Sequence, residues 1–230
     1  MANHFDLEEQ EQLDQIKHFW KQYGNAITWL LIAVLGGFAA WNGYQYWQRS
    51  QAEQAAAMYD EVSKVTRTGD PEKALRAFGD MRERFASAAY TPQAGLMVAK
   101  MLFENGKLDE ARATLSWVAE NSKDGGYASI ARLRLAALQL EGKALDEALK
   151  TLDGVTAPEF AGLAADRRGD VLLAQGKKAE ARAQYEKAFA ALDERMEYRF
   201  MVEVKLNALG VDPSKLAAVK SAGDKTEVSK

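Results

Sequence analysis

Residues 169–188 read GDVLLAQGKKAEARAQYEKA, and this pattern decides the fold. A helical run containing the small residue Gly169 stops at Gly176, and a second run follows with Ala181, Tyr185 and Ala188 three and four positions apart. Gly169 and Ala181 let two antiparallel helices approach where larger side chains would hold them apart, while Tyr185 fills the wedge that opens toward the next pair. Gly176 ends the first helix in a conformation that a residue bearing a Cβ adopts reluctantly. Working outward, three earlier passages stand in parallel: Gly69-Asp70-Pro71-Glu72-Lys73-Ala74, Gly106-Lys107-Leu108-Asp109-Glu110-Ala111 and Gly142-Lys143-Ala144-Leu145-Asp146-Glu147-Ala148. The four glycines are 37, 36 and 34 residues apart, a spacing that predicts helical hairpins stacked into an array. A plain antiparallel bundle with glycine turns recurring by chance is the alternative.

The period and the residue types resemble the tetratricopeptide repeat, whose unit is roughly 34 residues. The last copy, with Gly169, Gly176, Ala181, Tyr185 and Ala188, matches that family best. The second copy keeps Ala99, Gly106, Ala111 and Leu115, and the third carries one extra residue between Gly142 and Ala148. Helix starts fit paired helices: Asp70 before Pro71 and Thr91 before Pro92 each place a capping side chain ahead of a proline, and Pro158 marks a further start. Residues 195–209, with Met196, Phe200 and Val204 on one side and Gly210 after them, read as a closing helix that covers the last repeat. Beyond Val211 the polar, lysine-containing end is expected to be unstructured.

Between Lys21 and Arg49 there is no charged residue, and residues 26–47 form one apolar run. At roughly 1.5 Å per residue this run covers about 33 Å as a helix, enough for a hydrocarbon core of roughly 30 Å. Phe19, Trp20 and Tyr23 at one end, and Trp41, Tyr44 and Trp47 at the other, are the aromatic belts of a membrane-spanning helix. Thr28 is the one hydroxyl near the centre, and it can bond back to its own helix. A cleaved signal peptide is a poor fit, because the run starts late, is too long, and ends in bulky residues without a small-x-small site. Residues 48–65 keep a helical pattern, with Ala52, Ala55, Ala56, Tyr59 and Val62 on one side, so the span is expected to continue into the first repeat.

The 230 residues carry a net charge of −3, which leaves no basic footprint for nucleic acid. Cysteine is absent, excluding disulfides and thiolate chemistry. Both histidines, His4 and His18, lie in the N-terminal tail, so the array has no imidazole for general-base or metal work. Asp166 and Asp170, one turn apart, are the nearest thing to paired catalytic carboxylates, but no histidine, phosphate-cradling loop or metal-spaced partner accompanies them. The chain therefore reads as a non-enzyme without a cofactor. The acidic run Glu8-Glu9-Gln10-Glu11 reads as solvated. Lys17, His18 and Lys21 cluster at the membrane edge and lean toward a cytoplasmic N-terminus, although Arg49, Lys64 and Arg67 on the other side leave the charge rule undecided.

In the tail, Glu8-Glu9-Gln10-Glu11 is followed by Ile16-Lys17-His18-Phe19-Trp20-Lys21, then Tyr23-Gly24-Asn25 and Ile27. This order resembles the start of the ancillary SecYEG translocon subunit family, the YfgM type. The resemblance covers nearly the whole chain; Phe19-Trp20 stands where members often have two tryptophans. It implies a bacterial single-pass inner-membrane protein with its N-terminus in the cytoplasm and a periplasmic tetratricopeptide-like domain. It further implies association with the SecYEG translocon and with a membrane-anchored periplasmic chaperone of the peptidyl-prolyl isomerase type, and no catalysis. Without the family, Leu13, Ile16, Trp20 and Tyr23 on one helical side suggest either an interfacial docking helix or a frayed lead-in to the span.

The expected organisation is all-α: a cytoplasmic tail (1–25), a transmembrane helix (26–47), a periplasmic hairpin solenoid (48–210) and a disordered end (211–230). Such arrays bind segments on a concave face lined by their first helices. The repeat's inward positions fall on Gln93, Leu96, Lys100 and Phe103 in one copy and on Asp166, Asp170 and Leu173 in the last; Leu96, Phe103 and Leu173 fit a core role equally well. The function expected is a membrane-anchored interaction module that links secretory clients leaving the translocon to periplasmic chaperones. A regulator of an envelope stress response and a scaffold for envelope assembly are the alternatives.

Overall fold

Glycine turns set the architecture. The computed structural model describes the backbone of residues 7–213 and the side chains of residues 12–213, and among these residues there are helices and no strands. Gly106, Gly176 and Gly210 take φ of +73°, +77° and +77°. In each, the next residue donates its N–H five positions back: Lys107 to Leu102 O at 2.8 Å, Lys177 to Leu172 O at 2.9 Å and Val211 to Leu206 O at 3.0 Å. This bond closes the last turn of one helix and, after Gly106 and Gly176, the chain reverses into the next. The third copy departs from expectation. Its left-handed residue is Lys143 (φ +59°), while Gly142 stays at φ −76°, and Ala144 makes the equivalent bond to Gln139 O at 2.8 Å. The extra residue in the third copy is thus a one-residue shift of the turn. A side chain on Gly142 would run into the Arg112 guanidinium, which explains a glycine there without a positive φ.

The helices are α1 (Leu7–Thr68), α2 (Pro71–Phe85), α3 (Tyr90–Glu104), α4 (Leu108–Asn121), α5 (Gly125–Glu141), α6 (Leu145–Asp153), α7 (Ala161–Ala174), α8 (Lys178–Ala191) and α9 (Glu197–Ala208), with a 3₁₀ turn at Pro158–Phe160 leading into α7. The chain divides into two compact units, Met1–Glu53 and Gln54–Lys230.

In the first unit, the apolar side chains of α1 are exposed on every side: Trp29, Leu30, Leu31, Ile32, Val34, Leu35, Phe38 and Trp41 all face outward. A core helix of a soluble protein would hide them; this stretch is long and apolar enough to cross a membrane. Its polar groups are satisfied internally, with Thr28 Oγ1 donating to Gly24 O at 2.7 Å and Asn42 Nδ2 donating to Phe38 O at 2.9 Å. The aromatics at its two ends pair along the helix, Phe19 with Tyr23 at 5.1 Å and Tyr44 with Trp47 at 6.2 Å between ring centroids. The side chains of the acidic run at 8–11 lie outside the described residues.

In the second unit, antiparallel neighbours α3/α4, α5/α6 and α7/α8 form successive hairpins, and the C-terminal turns of α1 with α2 form the first. Apolar side chains make three clusters in sequence order. Val62, Phe78, Met81, Leu102 and Val118 lie in the first; Ala136, Ala148, Leu152 and Val171 in a small middle one; Tyr185, Phe189, Val202 and Leu206 in the last. Each hairpin therefore buries its faces against its neighbours alone, as stacked repeats do. Seven positions before the left-handed residue stand Ala99, Ala136 and Gly169, all buried. A Cβ on Gly169 would sit within 2.8 Å of three atoms of the Tyr185 ring, so the ring lies directly over the glycine. Gly95 plays a similar part against Val118 and Phe78.

Two expected helix details are corrected. Asp70 does cap α2, accepting from Lys73 N at 3.1 Å with Pro71 in the first turn. Thr91, however, lies inside α3, and its hydroxyl donates back to Phe85 O while the helix starts at Tyr90 without a side-chain cap. The closing helix α9 packs through Tyr198, Val202 and Leu206, not through Met196, Phe200 and Val204, which are exposed. Both sides of α9 are apolar, so periodicity alone does not say which one turns inward. Expectations for residues 214–230 lie outside the described residues.

The turn geometry makes a stability prediction. Nothing lies within 4 Å of a Cβ built on Gly106, so Gly106→Ala costs only the left-handed strain, about 1 kcal/mol, while Lys143→Gly gains a similar amount. Urea unfolding of the two variants in detergent should move the midpoint in opposite directions; equal shifts would refute left-handed turns at 106 and 143.

Candidate protein-binding groove

The first helices α3, α5 and α7 lie side by side, each touching the next, so side chains on their common outer face form one surface. The best-formed recess on it is a cleft of about 380 Å³ between α3 and α5. Ala99, Leu115, Ala137 and Leu138 make an apolar floor, and Lys100, Phe103, Glu104, Arg134 and Glu141 make the rim. Phe103 is 43% exposed at the end of α3, with its ring available to a ligand. Lys100 Nζ lies 3.7 Å from Glu104 on the same helix, and Arg134 Nη1 donates to Leu96 O at 3.2 Å, which ties α5 to α3.

Of the seven residues expected on the concave face, the cleft contains two, Lys100 and Phe103. Gln93 is half-buried further up α3, and Leu96 is only 7% exposed within the first core cluster. Leu173 is exposed on α7 but does not line the cleft. Arg134, Leu138 and Glu141 were not anticipated. They belong to the third copy; of its positions 10, 6 and 3 before Lys143, namely Leu133, Ala137 and Leu140, only Ala137 lines the cleft.

Asp166 and Asp170 require a correction. They do not line an open groove, because α9 covers them. Asp166 is 0% exposed and accepts from Tyr198 Oη at 2.6 Å and from Lys205 Nζ at 2.8 Å. Asp170 accepts from Tyr185 Oη at 2.9 Å and from the same Lys205 Nζ at 2.7 Å. The pair is a buried anchor for the closing helix, with its oxygens occupied by donors. Burial, followed by the charge of Asp170, holds the Tyr185 phenol far above its usual range; burial and the hydrogen bond to Asp166 do the same for Tyr198. Both phenols are therefore retained as donors. Arg199 adds a stacking contact, 4.0 Å from the centroid of the Phe189 ring.

The structure thus defines a class: a tetratricopeptide-type helical array carrying an apolar cleft, on a chain with, among the described residues, one helix long and apolar enough to cross a membrane. Comparison with known proteins agrees. The family model for a tetratricopeptide repeat-like domain matches residues 17–211. The chain is 32% identical over 210 residues to the ancillary SecYEG translocon subunit of Neisseria gonorrhoeae, covering 91% of this chain and all of that one. It is 32% identical over 212 residues to the Haemophilus influenzae protein of the same name (89% and 99% covered), and 30% identical over 209 residues to that of Escherichia coli (88% and 97%). The chain belongs to the ancillary SecYEG translocon subunit family.

The anchor is testable in two ways. Lys205→Met leaves Asp166 buried with its charge uncompensated and should cost about 3 kcal/mol. Because both folded phenols titrate above the unfolded value of about 10, their contribution is complete below that pH and is lost as pH rises beyond it. Urea midpoints measured at pH 8 and pH 11 should therefore fall at the higher pH, and by less in Tyr198→Phe; a pH-independent midpoint would contradict the network.

Proposed function

We propose that this chain is a non-enzymatic, single-pass inner-membrane interaction module that works beside the SecYEG translocon. Residues 1–25 stay in the cytoplasm, residues 26–47 span the lipid, and the hairpin array from 48 to 210 faces the periplasm. There it holds segments of secretory proteins as they emerge and brings them to a membrane-anchored chaperone of the peptidyl-prolyl isomerase type. No cofactor takes part.

The observation that carries this reading is the open apolar cleft between α3 and α5. A cleft with an exposed aromatic and a mixed-charge rim suits weak holding of varied segments, since apolar contact supplies affinity without demanding one sequence. The outward apolar side chains of α1 support the anchoring, as lipid or a partner helix has to cover them. The names of the relatives support the translocon as neighbour. The carboxylates that suggested acid–base chemistry are locked beneath α9, which argues against catalysis there.

Photo-crosslinking residues placed at Phe103, Trp20 and Trp41 in native membranes test the proposal. Position 103 should yield exported proteins or the chaperone, and positions 20 and 41 should yield translocon subunits. Capture of cytosolic proteins alone from position 103 would reverse the orientation and overturn the reading.

A further inference from the structure

By position α9 is a first helix, and its second helix is not among the described residues. Gly210 turns at φ +77° and Val211 N donates to Leu206 O at 3.0 Å, the ending that precedes a second helix at Gly106 and Gly176. The chain does not leave the array at this point. Val211 joins the last core cluster, Pro213 is buried, and the backbone of Pro213 is already helical. Asp212-Pro213-Ser214-Lys215 also repeats the pattern of Asp70-Pro71-Glu72-Lys73, in which Asp70 caps α2 by accepting from Lys73 N and Pro71 takes the first turn. Each passage follows a left-handed glycine, Gly69 in one case and Gly210 in the other.

The register of the hairpins gives a second, independent observation. From α3 to α8, the residue seven before the left-handed turn is small, and the residue seven after the start of the second helix is large and buried with it. Ala99 and Leu115 share the first core cluster, Ala136 and Leu152 share the middle one, and the Tyr185 ring covers Gly169. On α9 the same position is Glu203, which is half-buried. The ion pairs that α9 makes with described residues run through Arg199 and Lys205, and none uses Glu203. Counted from Pro213, the residue seven further on is Lys220.

We infer that residues 214–222 are the second helix of the hairpin that α9 opens, docked on its Glu203 side with Lys220 paired to Glu203. The occupant of that side is the chain's own end, in place of the unstructured end that composition alone suggests. Leu216 takes the position that Ala111, Ala148 and Ala181 hold in the other second helices, and Gly223 follows as the stop. Glu203 prevents the close approach that Ala99 or Gly169 permits, so opposite charges meet where the earlier hairpins set a small residue under a large one. Lys220 also stands near the C-terminal end of the segment, where the helix dipole favours a cation. A helix of about ten residues is too short to persist alone, so its order depends on this docking.

The test uses the full chain in nanodiscs, and the absence of cysteine gives it a clean background. Glu203→Cys is combined in turn with Ala218→Cys, Val219→Cys, Lys220→Cys, Ser221→Cys and Ala222→Cys, and the disulfide yield under mild oxidation is measured. A docked helix gives a maximum at Lys220→Cys, about fivefold above the pairs with Ala218→Cys and Ala222→Cys, because only one side of a helix faces its neighbour. Equal yields at all five positions would show a free end and overturn the proposal. The charge pair is read separately, by hydrogen exchange of the amides of residues 216–222. These should exchange about tenfold more slowly than in an isolated peptide of the same sequence. Lys220→Glu should return them to the peptide rate, and Glu203→Lys combined with Lys220→Glu should restore the protection. Exchange at the peptide rate in the unaltered chain overturns the docking, and protection that the reversed pair fails to restore overturns the role of the two charges.

Discussion

A backbone that passes through the left-handed region at one residue per hairpin is the constraint on which the array depends. At Gly106, Lys143, Gly176 and Gly210 this residue lets the following N–H bond five positions back and ends the helix before it, and at the first three the next helix begins within two residues. Such a short turn presses the two helices together, and the point of closest approach must be small. Ala99, Ala136 and Gly169 answer that need seven positions before the turn. Tyr185 can then spread its ring over Gly169 and send its hydroxyl to Asp170, joining packing inside the hairpin to the polar anchor of the next helix.

The same register organises the surface. Ten positions before the turn residue stand Leu96, Asp166 and Phe200. Leu96 is buried within the first core cluster, Asp166 is buried beneath α9, and Phe200 is 65% exposed because no described helix follows α9. The last helix is thus a further first helix by position, held by Lys205 across two carboxylates. A lysine between two aspartates fixes the helix at a defined place, a task that apolar contact alone performs with less positional control. Nearer the middle of the array, the small residues Ala99 and Ala137 lie with Leu115 and Leu138 at the floor of the cleft between α3 and α5.

This arrangement separates the polar anchor from the open cleft. The polar network lies between α7, α8 and α9, while the cleft lies between α3 and α5 and presents its apolar and charged groups outward. The cleft's floor residues Ala99, Leu115 and Leu138 belong to the first core cluster, so only its exposed rim, Phe103 among it, is separate from the packing. Membership of the translocon subunit family gives that surface a biological setting, and the exposed apolar belt of α1 gives it an anchor.

Much of this was legible in the residues. The uncharged run before Arg49, the recurring turn glycines, the small Gly169 opposite Tyr185 and the cap at Asp70 each follow from local chemistry, because covalent spacing alone decides which side chains share a helix face or a turn. What only the tertiary structure decided was which neighbour covers each face. Sequence periodicity places Asp166 and Asp170 on an inward stripe but is silent about a helix some thirty residues later that lies over them; it marks α9 as apolar on both sides without choosing between them. It likewise assigns the third turn to Gly142, whereas the left-handed residue is Lys143, one position later, in the copy that carries one extra residue. Burial and register depend on contacts between residues distant in the chain, and such contacts exist only once the helices have packed.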